Sequence, residues 1–459
     1  MIVPWCSLAP DPLSTSRPGG IDLSDPAAYP AGAWGIYDTI VRYAQADGIG
    51  VDFTLTGPAP LWATDAGEPP GGPPGVWKPS PSAFGAFVHA IATRYGGAYK
   101  PAGYAQALPR VDFWAIWNEP NYGIDLAPQA VDQSRVEVSP MLYRGLLDAA
   151  WSALEQTGHG SDTILIGELA PRGVTVGDSP GNFSGMVPLR FLRALYCVNA
   201  SYHPLTGIQA SLRGCPSGGA GFQTAHPGLF HASGFADHPY PQGVPPTQVT
   251  QDEPDYADLA VINRLESTLD RLQATYGSRT RFPIYDTEFG YQTNPPEAIT
   301  RAISPQLAAY YLNWSEYLHW LDPRIRSYDQ YLLTDPPKGN FPTGLLFASG
   351  TPKATYYAYR MPLYLPVTST GSGSALEIWG CVRPAHATQQ QTGLAQRALI
   401  QFQSSQGGAF RTIATVPLTN PHGYFDIRET LPGSGAIRTS WSYPGGPAIY
   451  SRTVIVTLH

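Results

Sequence analysis

Short apolar runs with two-residue alternation recur along the first 360 residues, and each is followed by a longer amphipathic stretch. The alternation predicts strands over 51–56, 111–117, 163–167, 234–238, 282–288 and 326–332. The 3.6-residue pattern predicts helices over 82–95, 141–156, 187–198, 256–276 and 306–321. Strand–helix repetition of this kind requires a mostly parallel sheet. Three of the helices start with the same signal, Ser80-Pro81, Ser139-Pro140 and Ser304-Pro305. Each places Ser at the N-cap and Pro at the first helical position, where no amide donor is needed. An eight-strand count works if residues 1–5 form strand two of a (β/α)8 (TIM-type) barrel with the first strand missing, which predicts a seam open beside strand two.

After residue 365 the rhythm changes. A Ser/Gly stretch over 368–374 leads into short strand patterns at 375–382, 397–403, 411–416, 424–427, 436–441 and 452–458, with no helical pattern between them. Such a run predicts an antiparallel β-sandwich. The expected division is a barrel over 1–365 and an accessory sandwich over 366–459, with packing or carbohydrate binding as the sandwich's role.

Composition narrows the partners. Of 459 residues, 14% are charged and the net charge is −7, with lysine only at 78, 100, 338 and 353. No basic run offers itself to nucleic acid, and no stretch approaches the roughly 20 apolar residues of a membrane span. Arg far exceeds Lys, and Ala, Gly and Pro abound, as in a bacterial chain from a GC-rich genome. The 27 tyrosines and 11 tryptophans serve either cores or platforms for sugar rings. Cys197 and Cys215 bracket a Gly/Pro-containing loop suited to a disulfide, whereas Cys6 and Cys381 are expected to be free. A disulfide points to a secreted or extracytoplasmic location, although residues 1–5 show neither the basic nor the long apolar segment of a signal peptide. Oligomeric state is not legible.

The chemistry concentrates in two segments, Trp117-Asn118-Glu119-Pro120-Asn121 and Tyr285-Asp286-Thr287-Glu288-Phe289-Gly290. Each Glu ends a predicted strand. Two carboxylates at strand ends are what acid-catalysed cleavage of a glycosidic bond requires: one donates a proton, the other is nucleophile or base. Alternation places Trp114, Ile116 and Asn118 on the inward face of one strand, and Ile284, Asp286 and Glu288 together on one face of another. Asn118 beside the acid is suited to hold a sugar hydroxyl. Trp62, Tyr122, Tyr291 and Tyr331 follow strands at the same end and are candidate subsite residues. Glu168, at the end of another strand, is a further substrate contact. No histidine spacing suits a metal, no Gly-x-Ser-x-Gly follows a strand, and no Gly-x-Gly-x-x-Gly opens a helix, so neither metal nor cofactor is expected.

Trp117-Asn118-Glu119-Pro120 with the later Thr287-Glu288-Phe289-Gly290 resembles clan A of the glycoside hydrolases, with the added sandwich similar to family 39. The resemblance implies a retaining mechanism with Glu119 as acid/base, Glu288 as nucleophile, and Asn118 on the sugar 2-hydroxyl. It further implies that His238-Pro239-Tyr240 matches a His-x-Tyr in which the Tyr holds the nucleophile and the His lines the site. The carboxyls should then lie about 5 Å apart. The charge of Glu288 is expected to keep Glu119 protonated near neutral pH. The implied partner is a β-linked oligo- or polysaccharide or glycoside. Two other readings use the same residues: a carbohydrate-binding protein without turnover, and a transglycosylase.

Overall fold

The computed structural model describes residues 1–459 except 132–133, 176, 298, 300 and 338–339. Two compact units divide the chain. The first holds 1–239, 251–288 and 324–327; the second holds 240–250, 289–323 and 328–459.

Seven parallel strands form one sheet in strict chain order: β1 (Ile2–Pro4), β2 (Asp52–Thr56), β3 (Phe113–Ile116), β4 (Thr163–Leu169), β5 (Gly234–Asp237), β6 (Ile284–Phe289) and β7 (Ile325–Gln330). This is the order of a (β/α)8-type barrel with seven of its eight strands. Among the described residues no strand joins β1 to β7, the open seam expected beside strand two. Between the strands run α1 (Gly35–Ala46), α2 (Pro81–Arg94), α3 (Ser139–Gln156), α4 (Pro188–Leu195), α5 (Ile262–Thr275) and α6 (Pro305–Leu321). Among the described residues no helix is long and apolar enough to cross a membrane.

The caps divide. Ser80 accepts from the Ala83 amide at 3.4 Å and Ser304 from the Leu307 amide at 3.2 Å, each with Pro following. Ser139 does not cap. Its helix begins one residue earlier than the capping pattern requires, and its hydroxyl donates to Gln129 Oε1 at 2.9 Å. Helix α1 was not legible, because its inward face carries a charge. Asp38 is buried and takes a bidentate contact from Arg94 (3.0 and 2.6 Å) and hydroxyls from Tyr95 and Tyr104, both at 2.8 Å.

Each strand's two faces have separate fates. Phe53, Trp114, Ile116, Ile164, Phe235 and Ile284 join the main core with Phe84, Phe87, Leu146 and Leu147 of the helices. The opposite face carries Ala115, Leu165 and Ala236, with Tyr285 against them. This corrects the expected facing: Trp114 and Ile116 point to the helices, and Ala115 points inward. Burial of these apolar side chains contributes about 1.5–3 kcal/mol each, which sets the register of the sheet.

The second unit also holds α7 (Ala354–Arg360), β8 (Leu363–Tyr364), β9 (Ser369–Thr370), β10 (Ala375–Cys381), β11 (Arg397–Ser404), β12 (Arg411–Pro417), β13 (Tyr424–Thr430), β14 (Gly435–Ser442), β15 (Ala448–Tyr450) and β16 (Val454–Leu458). They form sheets of order β13-β10-β8 and β12-β11-β14-β16-β9, with β15 paired to β14. All pairings are antiparallel except β16 with β9. One expectation fails here: α8 (Arg383–Thr392) interrupts the strands. Its sequence is polar throughout, with only Ala385 and Thr388 buried, so it has no apolar stripe to betray it. Cys197 and Cys215 are bonded, while Cys6 and Cys381 are free thiols.

Candidate active site

Four side chains of the first unit meet at the C-terminal edge of the sheet, and backbone irregularities aim them there. Trp117, just past β3, has φ +69° and breaks strand alternation. Its ring turns back to the helix layer against Phe84, with centroids 5.2 Å apart, and Nε1 donates to the Asp125 carbonyl at 3.2 Å. The Asn118 amide donates to Thr56 Oγ1 at 3.0 Å, and the Glu119 amide to the Glu168 carbonyl at 2.9 Å. Glu119 itself has φ +38°. A second irregularity lies in β4, where the register with β5 shifts between Gly167 and Leu169. Glu168 is the extra residue of this bulge, with φ +50°, and a bulge re-aims the side chain it carries. Gly167, at φ +111°, has to be glycine: a Cβ there would lie 2.6 Å from the Ala236 carbonyl oxygen.

His238, immediately after β5, is the node of the site. Its ring is fully buried, and both nitrogens face carboxylates. Nδ1 lies 3.0 Å from Glu119 Oε1 and 3.7 Å from Glu288 Oε2, and Nε2 lies 3.0 Å from Glu168 Oε2. Burial alone would favour the neutral ring. Glu288, Glu119 and Glu168 together outweigh it and hold the imidazole well above its usual range, as an imidazolium. Carboxylate oxygens of Glu119 and Glu288 lie within 4.8 Å of each other. Their side chains keep 18% and 13% of their surface exposed, so both are open to solvent, whereas Glu168 keeps 1%.

Acids outnumber the one cation here. Asp125 sits on the turn that follows Glu119 and accepts from Asn118 Nδ2 at 3.3 Å. Burial, then the charges of Glu119 and Glu288, push its carboxyl up to about 8, against the Asn118 contact. Asp52 of β2 is pushed up to about 7, first by burial and then by Glu168. Asp286 lies opposite Asp237 in the β5–β6 register, and both are buried. Burial raises the Asp237 carboxyl well above its usual range; His238 opposes this, and Asp286 and Asp258 reinforce it.

The sequence-predicted residues separate into groups. Glu119, Glu288, His238 and Asn118 come together. Tyr122 is 37% exposed and its amide donates to the Glu119 carbonyl at 2.8 Å, which holds it beside the acid. Trp62 is 9% exposed, edge-on to Trp5 at 6.1 Å, and its Nε1 donates to Pro10. That ring is packing and offers little face to a ligand. Tyr240, Tyr291 and Tyr331 belong to the second unit. Tyr240 stacks on Phe289 (6.4 Å) and meets Phe341 edge-on, Tyr331 packs on Phe341, and Tyr291 is buried between Phe289 and Tyr311. A buried Tyr291 presents no stacking face. Glu168, expected to reach substrate, is instead the buried partner of His238. Asp125 was missed altogether.

No protein-family model and no curated protein matches the chain. Among solved structures it is similar to Bacteroides uniformis beta-glucuronidase 2 covalently bound to cyclophellitol-6-carboxylate aziridine, at 11% identity and TM-score 0.39, covering 92% of this chain and 40% of that one. It is similar to an FMN-binding beta-glucuronidase from Facaelibacterium prausnitzii L2-6 at 10% identity and TM-score 0.36, covering 91% and 53%. It is also similar to a Cellulomonas fimi endo-beta-1,4-mannanase double mutant at 12% identity and TM-score 0.35, covering 93% and 81%. The chain thus spans less than two thirds of either beta-glucuronidase. At TM-scores under 0.5 these likenesses carry no functional argument, which has to come from the site's own geometry.

Proposed function

We propose that the protein is a retaining glycoside hydrolase acting on β-linked glycosides, with Glu288 as nucleophile and Glu119 as acid/base. One observation carries this reading: carboxylate oxygens of the two residues lie within 4.8 Å of each other at an open rim. Retaining enzymes place their carboxyls about 5–5.5 Å apart, and inverting ones about 6.5–9.5 Å apart, with a water between. The catalytic machinery lies within residues 1–365, and 366–459 is accessory.

His238 adds a part to the cycle. As an imidazolium it favours the ionised form of Glu288, the form a nucleophile needs. Its Nδ1 lies 3.0 Å from Glu119 Oε1, which leaves Oε2 as the oxygen to carry the transferable proton. When Glu288 attacks the anomeric carbon, the glycosidic C–O bond breaks and that proton passes to the departing oxygen. Glu288 is then an ester without charge. With Glu288 esterified, Glu119 takes a proton from water, while the imidazolium keeps its contacts to Glu119 and Glu168. Water attacks the anomeric carbon, Glu288 leaves as carboxylate, and Glu119 is reprotonated. Asn118 holds the sugar 2-hydroxyl, and Tyr122 flanks the leaving group.

The test is a panel of aryl β-glycosides, xylosides, arabinosides and glucosides included. Turnover with retained anomeric configuration supports the reading. Inverted product contradicts it, and transfer to an added acceptor sugar in place of water makes the enzyme a transglycosylase. Binding of sugars with no turnover of any panel member reduces the site to a carbohydrate-binding one.

A further inference from the structure

A cavity lies wholly within the second unit, bounded by α6, α7, β15 and residues 451–453, with a volume of about 560 Å³. That lies within the range of small-ligand sites, roughly 300–1,000 Å³. Its lining includes Tyr310, Tyr357, Arg360, Ile449, Tyr450 and Arg452, and no carboxylate. Tyr357 and Arg360 are three positions apart on α7 and so share a face. Tyr357 is 47% exposed and Tyr450 39%, high values for rings in a concave wall. Arg438 lies 3.8 Å from the Tyr450 centroid and Arg360 lies 5.6 Å from that of Tyr357, so a cation sits against each ring.

Among the described residues neither Arg360 nor Arg452 has an ion-pair partner. Arg360 Nε is buried and has no hydrogen-bond partner among the described residues. Arg452 gives Nε to the neutral Asn313 Oδ1 at 3.0 Å. Burial pulls it down to about 10, and the groups acting on it are the hydroxyls of Tyr310 and Tyr364, not a carboxylate. A guanidinium withdrawn from water without an anion is costly, and a bidentate carboxylate or sulfate offsets that cost. In a chain of net charge −7, such a local surplus of positive charge has no solubility role.

We propose that this cavity is a second ligand site, for an acidic sugar: the carboxylate is taken by Arg360 and Arg452, and the ring lies against Tyr357 and Tyr450. The anion seat stands on the cavity alone. The choice of a sugar as its carrier rests on the glycosidase reading.

Calorimetric titration of the full chain with a trigalacturonate, with a neutral trisaccharide of equal length, and with inorganic sulfate tests this. Expected is saturable binding of the acidic trisaccharide at least tenfold tighter than either comparator. Arg360→Gln should weaken it at least tenfold and Tyr357→Ala several-fold, with aryl-glycoside hydrolysis unchanged in both. Both side chains are partly solvent-exposed, so the variants keep the fold, which circular dichroism verifies. Acidic-trisaccharide binding that survives both substitutions overturns the proposal. Equal binding of the neutral sugar overturns the anion seat, and sulfate as tight as the acidic sugar overturns the ring platform. Arg360-dependent binding by a chain that hydrolyses no glycoside supports this site while refuting the glycosidase reading.

Discussion

Around His238 one cation faces three carboxylates; in the cavity between α6, α7 and β15 two arginines face none. Both are charge imbalances, of opposite sign, and they have different remedies. Surplus carboxyls relieve themselves by taking up protons, as the raised Asp125 and Asp52 show. An acid-rich site therefore holds mobile protons, which is what acid–base chemistry uses. Surplus arginine has no such relief, because a guanidinium does not give up its proton near neutral pH. It waits for an external anion. The first imbalance points to a reaction and the second to a ligand.

The comparison breaks most visibly at Glu119. Glu119→Gln removes the transferable proton, and kcat is expected to fall about 10²–10⁴-fold on substrates with poor leaving groups. The loss should be far smaller on activated aryl glycosides. An equal loss on both, read by steady-state kinetics, would contradict the acid role.

The next largest effect belongs to Glu168. Glu168→Ala leaves the buried imidazolium of His238 without one of its three anions, and breaking a buried pair costs about 3–5 kcal/mol. The imidazole should then lose its proton at lower pH, which shifts the pH–rate profile. Glu168→Gln, which keeps the shape, should shift the profile with a smaller loss of stability. Thermal unfolding with pH–rate curves for both variants checks this, and an unmoved profile would reduce Glu168 to packing.

Asp125 sharpens the proton argument. Its folded-state value, about 8, exceeds the ordinary value for an aspartate, about 4. The folded chain therefore holds a proton that the unfolded chain has released between those values. The contribution is fully present below about pH 4 and is lost as pH rises toward 8. Asp52, raised to about 7, acts in the same direction. Asp125→Asn mimics the protonated form, so the fall of Tm between pH 5 and 8 should flatten. A slope unchanged from the parent's would place Asp125 outside this proton balance.

The smallest expected effect is none at all. Glu119, His238 and Glu288 each offer one atom to a shared point, a donor set that a divalent cation could use. The His238–Glu119 hydrogen bond uses that Nδ1 for a proton instead. Exhaustive chelation should leave the rate unchanged, and a loss reversed by added zinc or manganese would reassign the three as metal ligands.

Much of the sheet was legible because its strands alternate between a helix-facing set of large apolar residues, such as Phe53, Trp114, Ile164 and Phe235, and a separate opposite-face set, Ala115, Leu165 and Ala236. The strand patterns at 163–167 and 234–238 fall within one or two residues of β4 and β5. Legibility stopped where the backbone leaves regular geometry. The positive φ at Trp117 reverses which face Asn118 occupies relative to Trp114 and Ile116, and no periodicity announces it. The bulge at Gly167–Leu169 turned Glu168 from an expected substrate contact into the partner of His238. Asp125 returns to Asn118 through an irregular turn whose spacing has no rule. Glu119 and Glu288 stood out because each is an acid at or just past the C-terminal end of a strand, with Pro120 and Gly290 close behind to turn the chain. The Tyr/Arg cavity draws on 306–310, 354–360 and 448–453, distant segments that only folding brings together.

In the proposed cycle Glu119 and Glu288 act on one anomeric carbon from opposite sides, with a covalent sugar on Glu288 between the two steps. Incubation with a 2-deoxy-2-fluoro aryl β-glycoside of whichever sugar turns over, followed by intact mass and peptide mapping, tests it most directly. Expected is one added fluoro-sugar on the peptide carrying Glu288, absent in Glu288→Gln and slow to hydrolyse. A label on any other residue, or steady turnover by Glu288→Gln, would contradict it.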